Sequence, residues 1–506
     1  MNSYADILAL QEGRYPKKTF LTYKDTRFTY EEFSELVNKL GNGFKEYGIQ
    51  PGDKVGIMGF NCSDWLLNYF SLISIGVVVV TVNPVLSNAE KVHIVNHCDL
   101  MALVLDAQAI PDFMKMKGEI GVSAVVLFGE AGLDGAVMMS QLLEAGSSDS
   151  CRVERDENDP CMIFHTGGTT SLPKSAVIPH RAFHWIMSKA PGAWHVTPDD
   201  CFLISSSMSF GMASGNILPI ALGAGGTVIV AERFTPAIVC EQIEKNKVTI
   251  FTGVPTMYSM LLNYPEINRH DLTSLRGCYS AGAPLLAEVV KKFWQRFNLV
   301  IHDYWGLTEA FASTVVDSSQ SKDRIFRKLG SSGRAVEGIK IRVVDAEGHD
   351  LPSGEIGEVV LSGPNIVSEY YKQPGLTKEA FTGGWFCTGD LGYLDPDEEL
   401  FIVDRKKDII IRGGANIYPR DIEDVICKHP KVAESAVIGV PDKIFGEEIK
   451  AYIVLNPGEE VSENEIRRHC SSLLAEYKVP KFIEFLEQLP KSKATEKILK
   501  KALRSE

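Results

Sequence analysis

The chain has 506 residues, more than one hydrophobic core usually supports, so we expect at least two domains. Its hydrophobic content of 45% and charged content of 23% are those of a globular protein, and its net charge of −13 argues against a nucleic-acid-binding surface. The ten cysteines include no C-x-x-C pair, so we expect neither zinc nor disulfides but reduced thiols in a cytoplasmic protein.

The amino-terminal sequence has no basic region and no long apolar core, so we expect no signal peptide. The most apolar run, residues 65–82, is interrupted by polar and small side chains at Asn68, Ser71 and Gly76. These interruptions favour a buried helix followed by a buried strand over an integral membrane segment. The sequence leaves open whether the protein is a monomer or a homodimer.

Strands and helices alternate over the first 150 residues. The chain begins with a strand pair, 20–23 and 27–30, and Thr29 then caps a helix that runs to about Tyr47. The same patterns predict strands at 54–60, 77–82, 101–105 and 124–128, and helices at 65–75 and 88–97. Such alternation is typical of parallel sheets covered by helices.

A loop rich in glycine and hydroxyl residues follows the apolar strand 161–164. Residues 166–175 read T-G-G-T-T-S-L-P-K-S. Glycines let backbone N–H groups approach an anion, and Lys174 adds a positive charge, so the loop suits a polyphosphate. It is not a Walker loop, because Pro173 stands where that pattern requires glycine. The alternative is a flexible surface loop. The candidate phosphate-binding residues are Thr166, Gly167, Gly168, Thr169, Thr170 and Lys174.

Two further motifs follow strands in the next part of the chain. Residues 281–285, A-G-A-P-L, come after the predicted strand 275–280, and residues 304–309 read Y-W-G-L-T-E. In the second motif an aromatic ring can stack on a purine, a threonine hydroxyl can donate to a phosphate, and a glutamate suits Mg²⁺. The alternative for the Thr-Glu pair is a helix cap followed by an acid in the first turn.

The last third of the chain changes character. Residues 330–403 are predicted to be rich in β-strands and contain W-F-C-T-G-D at 385–390. The charged run D-R-K-K-D at 404–408 interrupts this pattern, and a small α+β region follows. We therefore predict a large N-terminal domain at 1–403, a hinge at 404–407 and a small C-terminal domain at 408–506.

These motifs, taken in order, resemble those of the adenylate-forming enzymes: acyl-CoA synthetases, adenylation domains of peptide synthetases and firefly-type luciferases. That family has T-S-G-T-T-G-x-P-K-G, Y-G-x-T-E and W-x-x-T-G-D, and here Ser171 and Ser175 replace two of its glycines. The resemblance implies an α/β fold. A large N-terminal domain of parallel or mixed sheets covered by helices, with a β-rich subdomain, would precede a small mobile α+β domain.

The resemblance also implies roles for individual residues, with ATP, Mg²⁺ and coenzyme A as cofactors. It makes Thr308 and Glu309 catalytic, with Glu309 also the metal ligand, and it makes Lys407 the hinge. Lys497 would be the catalytic lysine, with Lys493 as the alternative. By the same resemblance, Gly282, Ala283, Pro284 and Trp305 would contact the adenine, Asp390 and Arg405 the ribose, and Gly413 and Gly414 coenzyme A.

The segment 201–215 corresponds to the acid pocket of the family. The residues that would line it are Met208, Phe210, Gly211 and Met212. Relatives that activate amino acids carry an aspartate after the phenylalanine, whereas this chain has Gly211. Without that carboxylate a substrate ammonium would be buried unpaired, so amino acids are disfavoured. The alternative is that Phe210 and Met212 are ordinary core residues.

The resemblance implies an ATP-dependent carboxylate–CoA ligase. Such an enzyme converts a carboxylic acid, here a medium or long fatty, alicyclic or aryl acid, into an acyl-AMP with release of pyrophosphate. It then transfers the acyl group to coenzyme A. Two alternatives remain open at this point. One is a fatty acyl-AMP ligase that loads an acyl carrier protein, and the other is a catalytically inactive homologue that binds acyl groups or nucleotides.

Overall fold

A computed structural model describes residues 4–166, 173–491 and 498–504. The chain forms two compact units. The first consists of residues 1–285, 289–340 and 362–386, and the second of residues 286–288, 341–361 and 387–506. Residues 341–361 and 387–403 thus group with the C-terminal part, while the predicted hinge at 404–407 stays a prediction. No helix within the described ranges is long and apolar enough to cross a membrane.

The helices alternate with strands along most of the chain. A π-helix at Gly211–Ile217 directly precedes one of the α-helices. The α-helices, numbered in chain order, are α1 (Tyr4–Arg14), α2 (Tyr30–Glu46), α3 (Ser63–Ser74), α4 (Asn88–His97), α5 (Ile110–Met116), α6 (Met139–Ala145), α7 (His180–Ala193), α8 (Leu218–Ala224), α9 (Pro236–Asn246), α10 (Pro255–Leu262), α11 (Ala287–Phe297), α12 (Lys322–Arg327), α13 (Pro374–Ala380), α14 (Pro419–Ile426), α15 (Glu463–Ser471) and α16 (Lys500–Leu503).

The strands are short, and several of the central ones are buried along their whole length. In chain order they are β1 (Thr19–Tyr23), β2 (Thr26–Thr29), β3 (Lys54–Met58), β4 (Val78–Val82), β5 (Ala102–Asp106), β6 (Ala124–Phe128), β7 (Val137–Met138), β8 (Pro160–Thr166), β9 (Lys174–Pro179), β10 (Cys201–Ile204), β11 (Thr227–Val230), β12 (Ile250–Gly253), β13 (Gly277–Ser280), β14 (Ile301–Leu307), β15 (Phe311–Val315), β16 (Arg334–Ala335), β17 (Lys340–Val344), β18 (Gly357–Ser362), β19 (Glu369–Tyr370), β20 (Phe381–Thr382), β21 (Trp385–Leu394), β22 (Leu400–Arg405), β23 (Ile410–Arg412), β24 (Ala415–Ile417), β25 (Val432–Asp442), β26 (Gly446–Leu455) and β27 (Phe482–Phe485).

The first unit contains two mixed sheets. One has the order β16-β15-β14-β13-β12-β10-β11-β1-β2, and its strands from β14 to β1 pair in parallel. The other has the order β19-β9-β8-β4-β3-β5-β6-β7, in which β8 and β9 form an antiparallel hairpin at the end of a parallel set. Ligands of open α/β sheets bind outside the carboxyl ends of the parallel strands. The predicted phosphate loop follows β8 in one sheet, and the motif A-G-A-P-L follows β13 in the other.

The helices of the first unit are held by an aromatic cluster and by local caps. Thr29 Oγ1 accepts a hydrogen bond from the Glu32 N–H, while the Glu32 carboxylate accepts one from the Thr29 N–H, so the predicted capping box forms. In the cluster, the rings of Tyr4 on α1 and Phe70 on α3 are stacked at 5.4 Å, and Phe33 on α2 meets Phe70 edge-on at 5.5 Å. These contacts join three helices around one buried point.

The second unit is rich in β-strands. In one sheet β17, β18 and β21 pair in that order, and β22 pairs with β21. In the other the order is β24-β23-β26-β25, and β27 pairs with β26. Ile422 on α14 and Ile466 on α15 pack with Ile449 of β26 in one apolar core. This agrees with the small α+β region that the sequence predicts at the C-terminal end.

A buried carboxylate joins the amino ends of three neighbouring strands whose carboxyl ends lead to the predicted motifs. Asp200, only 2% exposed, precedes β10 and accepts hydrogen bonds from Arg276 Nε at 2.7 Å and Thr249 Oγ1 at 2.7 Å. Arg276 and Thr249 precede β13 and β12. Burial raises the pKa of Asp200, but the hydrogen bonds from Arg276, Thr249 and the Thr197 N–H outweigh it and leave that pKa below its usual value.

We expect Asp200→Asn to lower the free energy of unfolding at pH 7 by about 1.5–3 kcal/mol, because it replaces hydrogen bonds to a charged group. A carboxylate with a depressed pKa contributes stability above its unfolded pKa of about 3.9 and loses it as the pH falls through the folded pKa. The difference between variant and wild type should therefore shrink below about pH 4. Urea midpoints measured from pH 7 downward test this, with the exposed neighbour Asp199→Asn as control.

Candidate active site

The predicted phosphate loop lies between two antiparallel strands. β8 ends at Thr166 and β9 begins at Lys174, and these two residues are directly paired across the hairpin. Gly167, Gly168, Thr169 and Thr170 lie outside the described residues. The hairpin therefore brings together the two ends of the predicted loop, one carrying a hydroxyl and the other an ammonium group.

His165 precedes this loop, and the sequence suggested no role for it. Its Nδ1 lies 3.2 Å from Ser175 Oγ on β9. Burial, together with the nearby His97 and His93, lowers the pKa of His165 to about 3. The imidazole is therefore neutral at physiological pH. On these two strands, the positive charge next to the loop comes from Lys174.

The Thr-Glu motif occupies the turn of a β-hairpin. Thr308 and Glu309 lie in the turn between β14 and β15, and the pairing register shifts at Gly306. The alternative of a helix cap is wrong, because this turn leads into a strand. A Cβ on Gly306 would lie 1.6 Å from the carbonyl oxygen of Phe311, so only glycine allows the two strands to cross this closely.

The predicted adenine contacts lie beside this hairpin. Ser280 at the end of β13 pairs with Asp303 of β14, so the turn Gly282-Ala283-Pro284 continues alongside the segment that contains Trp305. Gly282 has a φ of +85°, a backbone conformation that favours glycine. The Trp305 side chain is 9% exposed and lies within β14. The structure thus places the turn and the tryptophan at one edge of the same sheet.

The predicted acid-pocket segment has a buried anchor and a more exposed end. Met208 is fully buried, its N–H donates to Asn61 Oδ1 at 2.8 Å, and its carbonyl oxygen accepts from Ser214 Oγ at 2.7 Å. Phe210 and Met212 are only partly buried, so neither is an ordinary core residue. Among the side chains predicted to line the acid pocket, that of Met208 is therefore packed inside the protein, where it anchors the segment.

The exposed end of this segment lies against the Thr-Glu turn. Gly211 begins the π-helix, and a Cβ placed on it would meet the Cα of Thr308 at 4.0 Å. Asn216 fixes this approach, because its Nδ2 donates to the Gly211 carbonyl at 2.7 Å and its Oδ1 accepts from the Ala312 N–H at 2.7 Å. π-Helical turns are frequent at functional sites. Sequence reasoning missed Asn216, whose only signal was a polar residue in an apolar run.

The Glu309 carboxylate is held by a tyrosine that sequence reasoning also missed. Tyr370 Oη donates a hydrogen bond to Glu309 Oε1 at 2.7 Å, and Lys174 Nζ lies 5.0 Å from the centre of the same tyrosine ring. A carboxylate suits Mg²⁺, which commonly takes one or two carboxylates and completes its shell with phosphates and water. Among the described residues, no group of three or more His, Cys, Asp or Glu side chains could hold a metal ion. The assignment of Glu309 as a metal ligand stays a prediction.

In the second unit, two predicted ribose contacts lie together. Asp390 on β21 pairs with Arg405 on β22, and Arg405 Nε lies 2.6 Å from Asp390 Oδ1. Asp390 is 3% exposed, and its N–H donates to Thr388 Oγ1 at 3.0 Å. The arginine therefore orients the aspartate that the W-x-x-T-G-D motif supplies.

The predicted hinge and coenzyme A residues lie in tight turns of the same unit. Lys407 is exposed in the turn after β22. Just before it, Asp404 replaces the glycine of the family, and its carboxylate accepts the Arg420 N–H in the first turn of α14 at 3.0 Å. Gly413 and Gly414 form the turn between β23 and β24 with φ angles of +59° and +85°. Lys497 and Lys493 lie outside the described residues.

Two family matches cover most of the chain. Residues 8–371 match the AMP-binding enzymes, and residues 421–497 match the C-terminal domain of AMP-binding enzymes.

The chain belongs to the AMP-binding enzyme family. The resemblance to adenylate-forming enzymes is therefore confirmed.

Curated relatives of this AMP-binding enzyme match it over nearly its whole length. Feruloyl-CoA synthase of Amycolatopsis sp is 32% identical over 489 residues, which cover 97% of this chain and 96% of that protein. Crotonobetaine/carnitine–CoA ligase of Salmonella typhi is 31% identical over 512 residues, which cover 97% of both chains. The predicted enzyme class, an AMP-forming acid–thiol ligase, is confirmed by these matches.

Solved structures confirm the α/β fold of the AMP-binding enzyme. The anthranilate CoA ligase AuaEII in complex with anthranoyl-AMP has a TM-score of 0.92 at 27% identity, covering 100% of this chain and 97% of that one. ATP-bound MatB from Rhodopseudomonas palustris has a TM-score of 0.91 at 27% identity, covering 100% and 99%. The individual site residues stay predictions.

We expect Gly306→Ala to lower the rate of acid-dependent pyrophosphate release by about 100-fold, because shifting the hairpin moves Thr308 and Glu309 by an ångström or more. Gly13→Ala in α1 is the matched control, since its Cβ would meet nothing within 4 Å. Pyrophosphate release and the thermal unfolding midpoint should be measured for both variants. Wild-type activity in Gly306→Ala would show that the close crossing does not constrain the site.

Proposed function

We propose that this enzyme activates a carboxylic acid with a neutral, largely apolar body, an aryl or fatty acid, and transfers its acyl group to coenzyme A. The segment 205–215 carries no charged side chain, and Gly211 stands where relatives that activate amino acids place an aspartate. An ammonium group would find no counter-charge on this segment, which disfavours amino acids. Feruloyl-CoA synthase and the complex of AuaEII with anthranoyl-AMP add support for an aryl acid.

The observation that carries this proposal is the contact between the acid segment and the Thr-Glu turn. A Cβ on Gly211 would lie 4.0 Å from the Thr308 Cα, so an acid held beside Gly211 would present its carboxylate close to Thr308. Holding two reactants in such a geometry converts an encounter in solution into a reaction within one complex. The adenylation step needs this positioning more than covalent help.

In that step a carboxylate oxygen attacks the α-phosphorus of ATP, the bond to the β-phosphate breaks, and pyrophosphate leaves. Thr308 would donate to an α-phosphate oxygen, and Lys174 would offset charge on the outer phosphates. Mg²⁺ would be held by Glu309 together with phosphate oxygens and would neutralise developing charge. Asp390, oriented by Arg405, would accept hydrogen bonds from the ribose.

The acceptor thiol must come from outside the chain. All ten cysteines are free, and none stands in a recognisable nucleophile motif. Burial raises the pKa of Cys98 to about 11 and that of Cys278 to about 12, which makes these two thiols poor nucleophiles. In the second step the coenzyme A sulfur would attack the acyl carbonyl and AMP would leave. Free thiols also support the cytoplasm as the compartment.

An assay with a panel of aryl, fatty, alicyclic and amino acids tests the proposal. We expect pyrophosphate release with the aryl or fatty acids and thioester formation with free coenzyme A. A carrier protein bearing phosphopantetheine should be compared directly. Thioester formation only on the carrier would favour the carrier-loading alternative, and no pyrophosphate with any acid would favour an inactive homologue.

We expect Lys497→Ala to lower acyl-adenylate formation by about 10²–10³-fold, as the loss of one donor to a transition state does. Thioester formation from synthetic acyl-AMP and coenzyme A should change little, because that step does not use the lysine. Lys493→Ala is the matched control and should retain both steps. An equal loss of both steps in Lys497→Ala would refute the assignment, and the reverse pattern would move the role to Lys493.

A further inference from the structure

We propose that Tyr370 is a positioning residue that holds Glu309 for Mg²⁺ and Lys174 for the phosphates of ATP. The inference rests on the proposed function, which assigns these two groups to the metal and the phosphates. Tyr370 is 5% exposed and contacts both of them, its hydroxyl on one and its ring on the other.

The hydroxyl engages one carboxylate oxygen of Glu309. Tyr370 Oη lies 2.7 Å from Oε1, the distance of a charge-assisted O–H···O⁻ hydrogen bond. With Oε1 accepting this bond, Oε2 is the oxygen available to a metal ion. Partners that orient metal-ligating carboxylates in this way fix the ligand in its binding rotamer before the metal arrives. The backbone adds a second restraint, since the Glu309 carbonyl accepts the Val367 N–H at 2.9 Å.

The ring lies beneath the ammonium group of Lys174. Lys174 Nζ is 5.0 Å from the ring centre, within the range of a cation–π interaction. The register explains the contact, because Tyr370 pairs with Ala176 on β9, and Lys174 lies two residues before Ala176 on the same face. Lys174 is also paired with Thr166, which precedes the phosphate loop, so the residue that contacts the ring lies at the end of that loop.

The strand that carries Tyr370 is itself fixed on two sides. On the β9 side, the Ser368 N–H donates to the Val177 carbonyl at 3.0 Å and the Tyr371 N–H to the Ser175 carbonyl at 2.8 Å. On the β15 side, the Asn365 amide donates to the Ala310 carbonyl and, at 2.9 Å, to Ser313 Oγ. Since β9 and β15 belong to different sheets, this segment sets the position of Lys174 relative to Glu309.

Tyr370→Phe tests the hydroxyl, because it removes the bond to Glu309 and keeps the ring under Lys174. We expect the affinity for Mg²⁺, measured by calorimetric titration of enzyme saturated with a non-hydrolysable ATP analogue, to fall about 10–100-fold, as for other partners of metal ligands. Tyr371→Phe is the matched control, because it removes a hydroxyl bond of 2.9 Å to Asp99, away from Glu309. That variant should bind Mg²⁺ as the wild type does.

Tyr370→Leu tests the ring, because it removes both contacts. Beyond the loss in Mg²⁺ affinity, we expect a severalfold rise in the KM for ATP that Tyr370→Phe does not show. An equal KM for ATP in the two variants would overturn the role of the ring in placing Lys174.

Glu309→Gln separates this inference from the proposed function. If Tyr370 acts through Glu309, the double variant Glu309→Gln/Tyr370→Phe should bind Mg²⁺ no more weakly than Glu309→Gln alone. Unchanged Mg²⁺ affinity in Glu309→Gln would overturn the metal assignment itself. Loss of affinity in Glu309→Gln with wild-type affinity in Tyr370→Phe, or additive losses in the double variant, would leave the metal assignment standing and overturn the role of Tyr370.

Discussion

The close pairing of β14 and β15 at Gly306 is the steric constraint that positions the Thr-Glu turn of the candidate site. Because no side chain at residue 306 leaves room for the Phe311 carbonyl, the hairpin closes tightly and projects Thr308 and Glu309 from its turn. Two other elements of the first unit approach this turn. The π-helix reaches it through Gly211 and Asn216, and the edge strand β19 reaches it through Tyr370. Steric exclusion at Gly306 thus fixes the turn that carries Thr308 and Glu309.

Electrostatics then determines what this arrangement can do. Among the described residues, Glu309 supplies a carboxylate and Lys174 an ammonium group, both in contact with Tyr370, and such a pair suits a divalent cation and a polyphosphate. The neutral His165 adds no charge, since burial and the neighbouring histidines keep its pKa near 3. Tyr370 contacts both charged groups, since its hydroxyl donates to Glu309 and its ring faces the ammonium group of Lys174.

The two compact units contribute chemistry of different kinds. In the first, parallel strands end in the motifs that we predict to bind the phosphates of ATP. In the second, Asp390 and Arg405 form an ion pair across two strands, and glycines with positive φ make the turn between β23 and β24.

The family and the fold of this protein could be predicted from its sequence. Glycine, proline and charged residues at fixed spacings are local patterns, and each indicates a particular backbone conformation or chemical role. The loop at 166–175, the Thr308-Glu309 pair, the Trp-x-x-Thr-Gly-Asp series and the α/β alternation are local patterns, and they were sufficient to predict the family and the fold. Asn216 and Tyr370 carry no such signal, since an isolated amide or tyrosine resembles any core or surface residue. Their roles depend on contacts across 96 and 61 positions of the chain, which only the packing of helices and sheets can create.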